Sequence, residues 1–280
     1  MNLWERVLTL DRRFVFIGIG LAVLIPIITG YALPLGKPAP PTVAVYKYID
    51  GLEPGSVVMF AIDYGPSSMP ELHPQAMAMV RHALQRHLRV ITVSLNVQGT
   101  VLASDVLQTV GQAVGAQDGV DYVNLGFKVG GSAVILQMGS DGIPKVYPTT
   151  ADGRHTGSLP VMRGVRTYDD IALVVDLAAS AIPDSWIAFA KERYDQDLAL
   201  GITAVMATAY YPYLQSGQLV GLVNGLKGAA EYEQLLGLEG RQALGLLGMS
   251  AQSIAHLLIV VLVIAGNIAY FASGQRRSRR

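Results

Sequence analysis

Two stretches of this chain carry no charged side chain and are long enough to cross a bilayer. Phe14 to Gly36 reads FVFIGIGLAVLIPIITGYALPLG. Between Arg241 and Arg276 there is no Lys, Arg, Asp or Glu, and His256–Ala272 is its most apolar part. About twenty apolar residues let a helix span the hydrocarbon core, so each stretch predicts one transmembrane helix. Pro26 falls mid-span, where membrane helices accept proline if neighbours satisfy the freed carbonyl. Arg6, Arg12 and Arg13 precede the first segment, with Trp4 as an interfacial anchor, and Arg276, Arg277, Arg279 and Arg280 follow the second. Basic flanks mark cytoplasmic ends. The expected map is therefore a cytoplasmic N-terminus (1–13), a helix (14–35), a periplasmic or extracellular domain (36–250), a second helix (251–273) and a basic cytoplasmic tail (274–280). A cleaved signal peptide is the rival reading of the first segment. Its apolar run exceeds the ~7–15 residues of a signal core, and no A-x-A site follows Tyr31.

Within the second segment the polar residues are Gln252, Ser253, His256 and Asn267, and small residues recur as Ala251/Ala255 and Ala265/Ala269. Polar groups at membrane depth face other protein, because lipid offers them no hydrogen-bond partner. The expected partners are the membrane itself and either further copies of the chain or other membrane proteins. A proton relay centred on His256 is the alternative. Lys plus Arg equals Asp plus Glu at 21 each, which leaves no electrostatic footprint for nucleic acid. Cysteine is absent, so disulfides, thiolate metal sites and thiol catalysis are excluded.

Between the two segments, Lys37–Pro41 reads as a stiff linker and Thr42–Ile49 as a strand. Apolar runs then alternate with amphipathic stretches. Strands are expected at Val57–Ile62, Arg89–Leu95, Tyr122–Phe127, Ala133–Gln137, Ile171–Leu177 and Gly201–Ala207. Helices are expected at Pro74–Leu88, Ser104–Val114 and Pro183–Tyr194. Continuous apolar strands alternating with helices imply an α/β domain, a parallel sheet covered on both faces in three αβα layers. The alternation is similar to that of flavodoxin-like, Rossmann-like and amidotransferase-like domains. The cysteine nucleophile an amidotransferase needs is missing. Asp141–Asp169 has no period and reads as a long excursion or an edge hairpin.

Leu214–Leu236 reads as one helix with Gly217, Gly221, Gly225 and Gly228 in a single stripe. Each interior glycine costs roughly 0.5–1 kcal/mol relative to alanine, so the stripe predicts close contact with another backbone. Together with Gln252, His256 and Asn267 it forms the expected assembly interface.

Open α/β sheets bind ligands beyond the carboxyl ends of their strands. The polar residues expected there are Asp63, Tyr64, Asn96, Ser180 and Thr208, with turn and cap roles for Asp63, Ser67 and Ser68 as the plainer reading. No nucleophile elbow, Walker A loop or dinucleotide fingerprint is present, and Gly126–Ser132 lacks the Gly-Lys-Ser/Thr ending. His82 and His87 do not align on a helix face, and no carboxylate joins them at ligand spacing, so neither a metal nor a cofactor is expected. The expected function is a non-catalytic assembly subunit of a membrane-anchored, oligomeric complex; the alternatives are a small-molecule binding or sensory domain at the sheet edge and a hydrolase using an Asp/Ser site.

Overall fold

The computed structural model describes residue 9 and residues 11–277, with side chains as far as Ala272. Trp4, Arg6, Arg279, Arg280 and the side chains of Arg276 and Arg277 lie outside the described residues. The chain divides into two compact units, Leu35–Leu238 and the two chain ends (Met1–Pro34 with Glu239–Arg280).

In the terminal unit, helix α1 (Arg12–Thr29) begins where the Asp11 carboxylate accepts the Arg13 N–H at 2.9 Å. It ends at Gly30, whose φ of 70° no β-carbon residue adopts cheaply. Its partner is the last helix, Leu244–Arg277. Both helices are long and apolar enough to cross a membrane. They meet through small residues: Gly18 lies against Leu258, and Ala22, Ala251 and Ala255 are buried. The Leu33 N–H donates to Ser250 Oγ at 2.8 Å. The last helix begins at Leu244, several residues ahead of the expected start at 251.

The larger unit is built on a six-stranded sheet, all parallel, in the order β3-β2-β1-β4-β5-β6. The strands are β1 (Val57–Asp63), β2 (Arg89–Ser94), β3 (Tyr122–Phe127), β4 (Leu173–Ala178), β5 (Leu198–Ile202) and β6 (Gly221–Asn224). Every residue of β1 is buried because its alternate side chains enter two different cores. Val58, Phe60 and Ile62 join helices α2 (Pro40–Asp50), α3 (Met69–Gln85), α4 (Gly99–Val114) and α10 (Gly225–Leu235). Val57, Met59 and Ala61 join the opposite core, covered by α5 (Ser132–Gln137), α6 (Ile143–Val146), α7 (Ile182–Trp186), α9 (Ala207–Gln215) and the segment up to Ile171. Helix α8 (Glu192–Tyr194) and the last helix, α11, complete the α-helices of the described residues. The strand order is that of Rossmann sheets rather than the flavodoxin order.

Several expectations need correction. Thr42–Ile49 is not a strand but part of α2: Pro40 and Pro41 occupy the first helical turn, and Thr42, Val45 and Ile49 form its buried stripe. Ala133–Gln137 lies in α5, followed by a wider π turn at Met138–Gly142. The fifth strand ends at Ile202, so only the first part of Gly201–Ala207 is extended. The stretch 141–169 is mostly short helical turns with one antiparallel bridge, Thr149 to His155.

The largest correction concerns Leu214–Leu236, which is not one helix. It is a turn, strand β6 and helix α10, so Gly217, Gly221, Gly225 and Gly228 share no face. Each glycine has its own reason. Gly217 turns the chain at φ 81°, and Gly225 opens α10 at φ 59°. A β-carbon on Gly221 would meet the Pro41 carbonyl oxygen at 2.7 Å, because α2 crosses β6 there. One on Gly228 would meet the Val223 backbone at 3.0 Å.

Candidate functional site at the carboxyl edge of the sheet

Strand β1 sits between β2 and β4, and the connections leaving those central strands run to opposite sides. In such sheets the crevice at this divergence is where ligands bind. Asp63 closes β1, and Asp176 lies near the end of β4. In the register, Ala61 faces Asp176 and Asp63 faces Ala178. The two aspartates therefore point to the same face as diagonal neighbours.

Both are enclosed, Asp63 at 1% and Asp176 at 0% exposure. Asp63 Oδ1 accepts the Leu95 N–H at 2.6 Å, with the Ser94 hydroxyl 3.4 Å away. That hydroxyl sits between the Ile62 and Asn96 carbonyls at 2.7 and 2.6 Å. Asp63 Oδ2 and both oxygens of Asp176 have no hydrogen-bond partner, and neither does the Tyr147 hydroxyl or the Trp186 indole N–H. Trp186 faces Asp63 from just outside bonding geometry, and Tyr147 feels the Asp63 charge. Tyr210 lies near Asp176 and pairs with Asp184.

Burial pushes the Asp63 carboxyl up to about 6, against the pull of the Leu95 N–H, the Trp186 indole and the Asn96 N–H. Burial, and then the neighbouring Asp63 charge, hold Asp176 well above the usual carboxylate range. Two acids in one dry site share a proton rather than both ionise. The donors sit on Asp63, so it carries the charge and Asp176 the proton. No Lys, Arg or His contributes to either shift. The shared proton ties the two carboxyls together, and the result is a buried site of charge −1 in which the other Asp176 oxygen has no donor.

The segments after β3 and β4 lie along the same edge. After β3, Gly126 (φ 90°) lets the backbone pass Ala151, and Gly130 and Gly131 continue at positive φ. The Ser132 and Ser185 hydroxyls, 3.0 Å apart, tie the start of α5, after β3, to α7, after β4. Val97, Val101, Phe127, Val129 and Val205 stand exposed along this edge.

Of the residues expected here, only Asp63 belongs to the buried cluster. Tyr64 turns to the opposite face, where its hydroxyl meets His73 Nδ1 at 3.0 Å and His73 Nε2 meets Asp105 at 3.0 Å. Asn96 folds a turn by accepting the Gln98 N–H at 2.9 Å. Ser180 accepts the Ile182 N–H at 3.4 Å, and Thr208 is exposed on α9. Sequence reasoning missed Asp176, Ser94, Tyr147 and Trp186. Asp176 had a signal: a charged residue inside the apolar run IALVVDL, where an acid is almost never fully buried without a partner.

A concavity of ≈ 350 Å³ lies at the opposite end of the sheet, lined by Leu84, His87, Leu88, Val114 and Asp121. It sits at the amino ends of β2 and β3, where sheets of this order do not bind ligands, and we give the carboxyl edge precedence. Among the described residues no three His, Cys, Asp or Glu side chains are grouped to hold a metal. The loop after β1, Tyr64-Gly65-Pro66-Ser67-Ser68, has one glycine where dinucleotide-binding sheets have a glycine-rich phosphate cradle. A carboxylate in that place repels phosphate. Compared with family models, curated proteins and solved structures, the chain shows no match.

Proposed function

We propose that this chain is a membrane-anchored ligand-binding domain whose site is the crevice at the carboxyl ends of β1 and β4. The observation that carries this reading is the Asp63–Asp176 pair, buried with an Asp176 oxygen left without a donor. An apolar pair would serve the fold better, since an uncompensated buried charge costs several kcal/mol. Such groups are kept where they serve a site. The two apolar helices and their arginine flanks support a chain with both ends in the cytoplasm and the domain outside it.

The test is thermal unfolding of the full chain in nanodiscs against a metabolite library, with Asp63→Asn alongside. Compounds that stabilise the wild type but not the variant support the reading. A library that protects neither, or both alike, counts against it.

A second reading, the assembly subunit, keeps one specific support. Gln252, His256 and Asn267 are exposed and fall within about 60° of one another around α11, away from the small residues that pack on α1. Asn267 already donates to the Val263 carbonyl at 2.8 Å, which leaves its acceptor for another partner. A second copy inserted in the same direction presents the same amides at the same depth, and amides are self-complementary. The glycines of 217–228 no longer contribute to this reading. The Asp/Ser hydrolase has no comparable observation behind it.

A further inference from the structure

Resting on the binding reading, we infer that the ligand presents a monovalent organic cation, an alkylammonium group, to the Asp63–Asp176 pair. Charge is the first argument. The pair holds one proton between its two carboxyls, so the site has a single negative charge, and no basic side chain among the described residues answers it. One positive charge neutralises it. A divalent metal would require both carboxylates to ionise, and no third acid or histidine converges with them among the described residues.

Valence is the second. The shared proton bridges one oxygen of Asp176 to Asp63, which leaves the other Asp176 oxygen and the Tyr147 oxygen enclosed and unpartnered. An ammonium group brings three N–H donors and no acceptor. The Trp186 indole N–H, aimed at Asp63, helps keep that carboxyl ionised and takes nothing from the ammonium. Surroundings are the third. Tyr147, Trp186 and Tyr210 line the pair, and aromatic rings attract a desolvated cation. Along the same edge, exposed Val97, Val101, Phe127, Val129 and Val205 suit an apolar tail. The pair is covered, so the ammonium enters by parting the segments after β3 and β4. Their cross-link is the Ser132–Ser185 hydroxyl pair, beside the positive-φ glycines 130 and 131.

The experiment is thermal unfolding and calorimetric titration of the full chain in nanodiscs. The probes are butylammonium chloride, sodium chloride at equal ionic strength, and butanol as a neutral analogue. The melting temperature should rise with the logarithm of butylammonium concentration, as mass action requires, and neither control should reproduce it. Asp176→Asn should stay folded and lose at least tenfold in butylammonium affinity. Tyr147→Phe should weaken it several-fold. No shift with butylammonium, an equal shift with butanol, or full retention in folded Asp176→Asn overturns the inference. If a neutral or anionic library compound then protects the wild type but not Asp63→Asn, only the ammonium assignment falls. If no compound protects, the binding reading falls as well.

Discussion

Two kinds of buried ionisable residue pull the stability of the domain in opposite directions with pH. Asp63 and Asp176 have raised carboxyls, so the folded state prefers them protonated. Their stabilisation is complete below the unfolded value near 4 and is lost as pH rises through about 6 for Asp63. Replacing Asp176 with Asn, of nearly the same volume and with no proton to gain on folding, should raise stability at pH 8 by about 1–3 kcal/mol, and by less at pH 5. Melting curves at the two pH values check this. His73 and His82 are the reverse case. Burial lowers both, against the opposing pull of Asp105 and Asp50. A depressed histidine gives stability that is present above its unfolded value, about 6.5, and is lost as pH falls through the folded one. His82 Nδ1 meets the buried Tyr232 hydroxyl at 2.8 Å, with the Tyr46 ring stacked 4.5 Å away. His82→Gln should cost about 1–3 kcal/mol at pH 8 and flatten the acid arm of the melting profile. An unchanged acid arm would assign that arm to other groups.

The elements give a sharper test of how the glycines of 217–228 are used. Were they a helical stripe that docks a neighbouring copy, each change to alanine would stabilise the isolated monomer by roughly 0.5–1 kcal/mol. The observed turn–strand–helix predicts the opposite sign. Gly221→Ala should cost about 1–3 kcal/mol, because α2, which sets Pro41 and Val45 against this position, cannot recede without opening the core. Gly217→Ala, with open space around it, should cost only about 1–2 kcal/mol from its positive φ. Chemical or thermal denaturation of the two variants decides between the readings. The misreading has a plain cause. Strand β6 is four residues long, too short for a period of two to register, and its glycines happen to recur at near-helical spacing. The long strands were legible: β1, β2 and β3 begin where their apolar runs begin. Helix α2 was hidden because Thr42, Val43, Val45 and Ile49 are β-branched, while the proline pair that starts the helix resembled a linker. At the site, Asp63 was legible from its place at a strand end. Asp176, Tyr147 and Trp186 come from distant parts of the sequence, and only the β1–β4 pairing joins them.

At the scale of the whole molecule, the polar face of α11 makes a prediction separate from the crevice. Native mass spectrometry of the chain in nanodiscs should show a discrete oligomer, and Gln252→Leu with Asn267→Leu should shift it toward monomer. A monomer in the unaltered chain would leave the binding reading alone in the field. The sheet order also has a bearing on how the chain is made. Strand β1 lies at the centre, yet one neighbour, β2, follows it closely in sequence while the other, β4, arrives only after the whole excursion through 128–171: Val58 pairs with Val90 on one side and Leu173 on the other. During synthesis the first three strands have all they need to assemble, but this half-sheet presents the bare hydrogen-bonding edge of its most apolar strand until residue 178 has emerged. An exposed apolar edge invites pairing with whatever strand comes first. Slowing the delivery of β4 should therefore lower the yield of folded domain, because β1 keeps a bare edge over that interval.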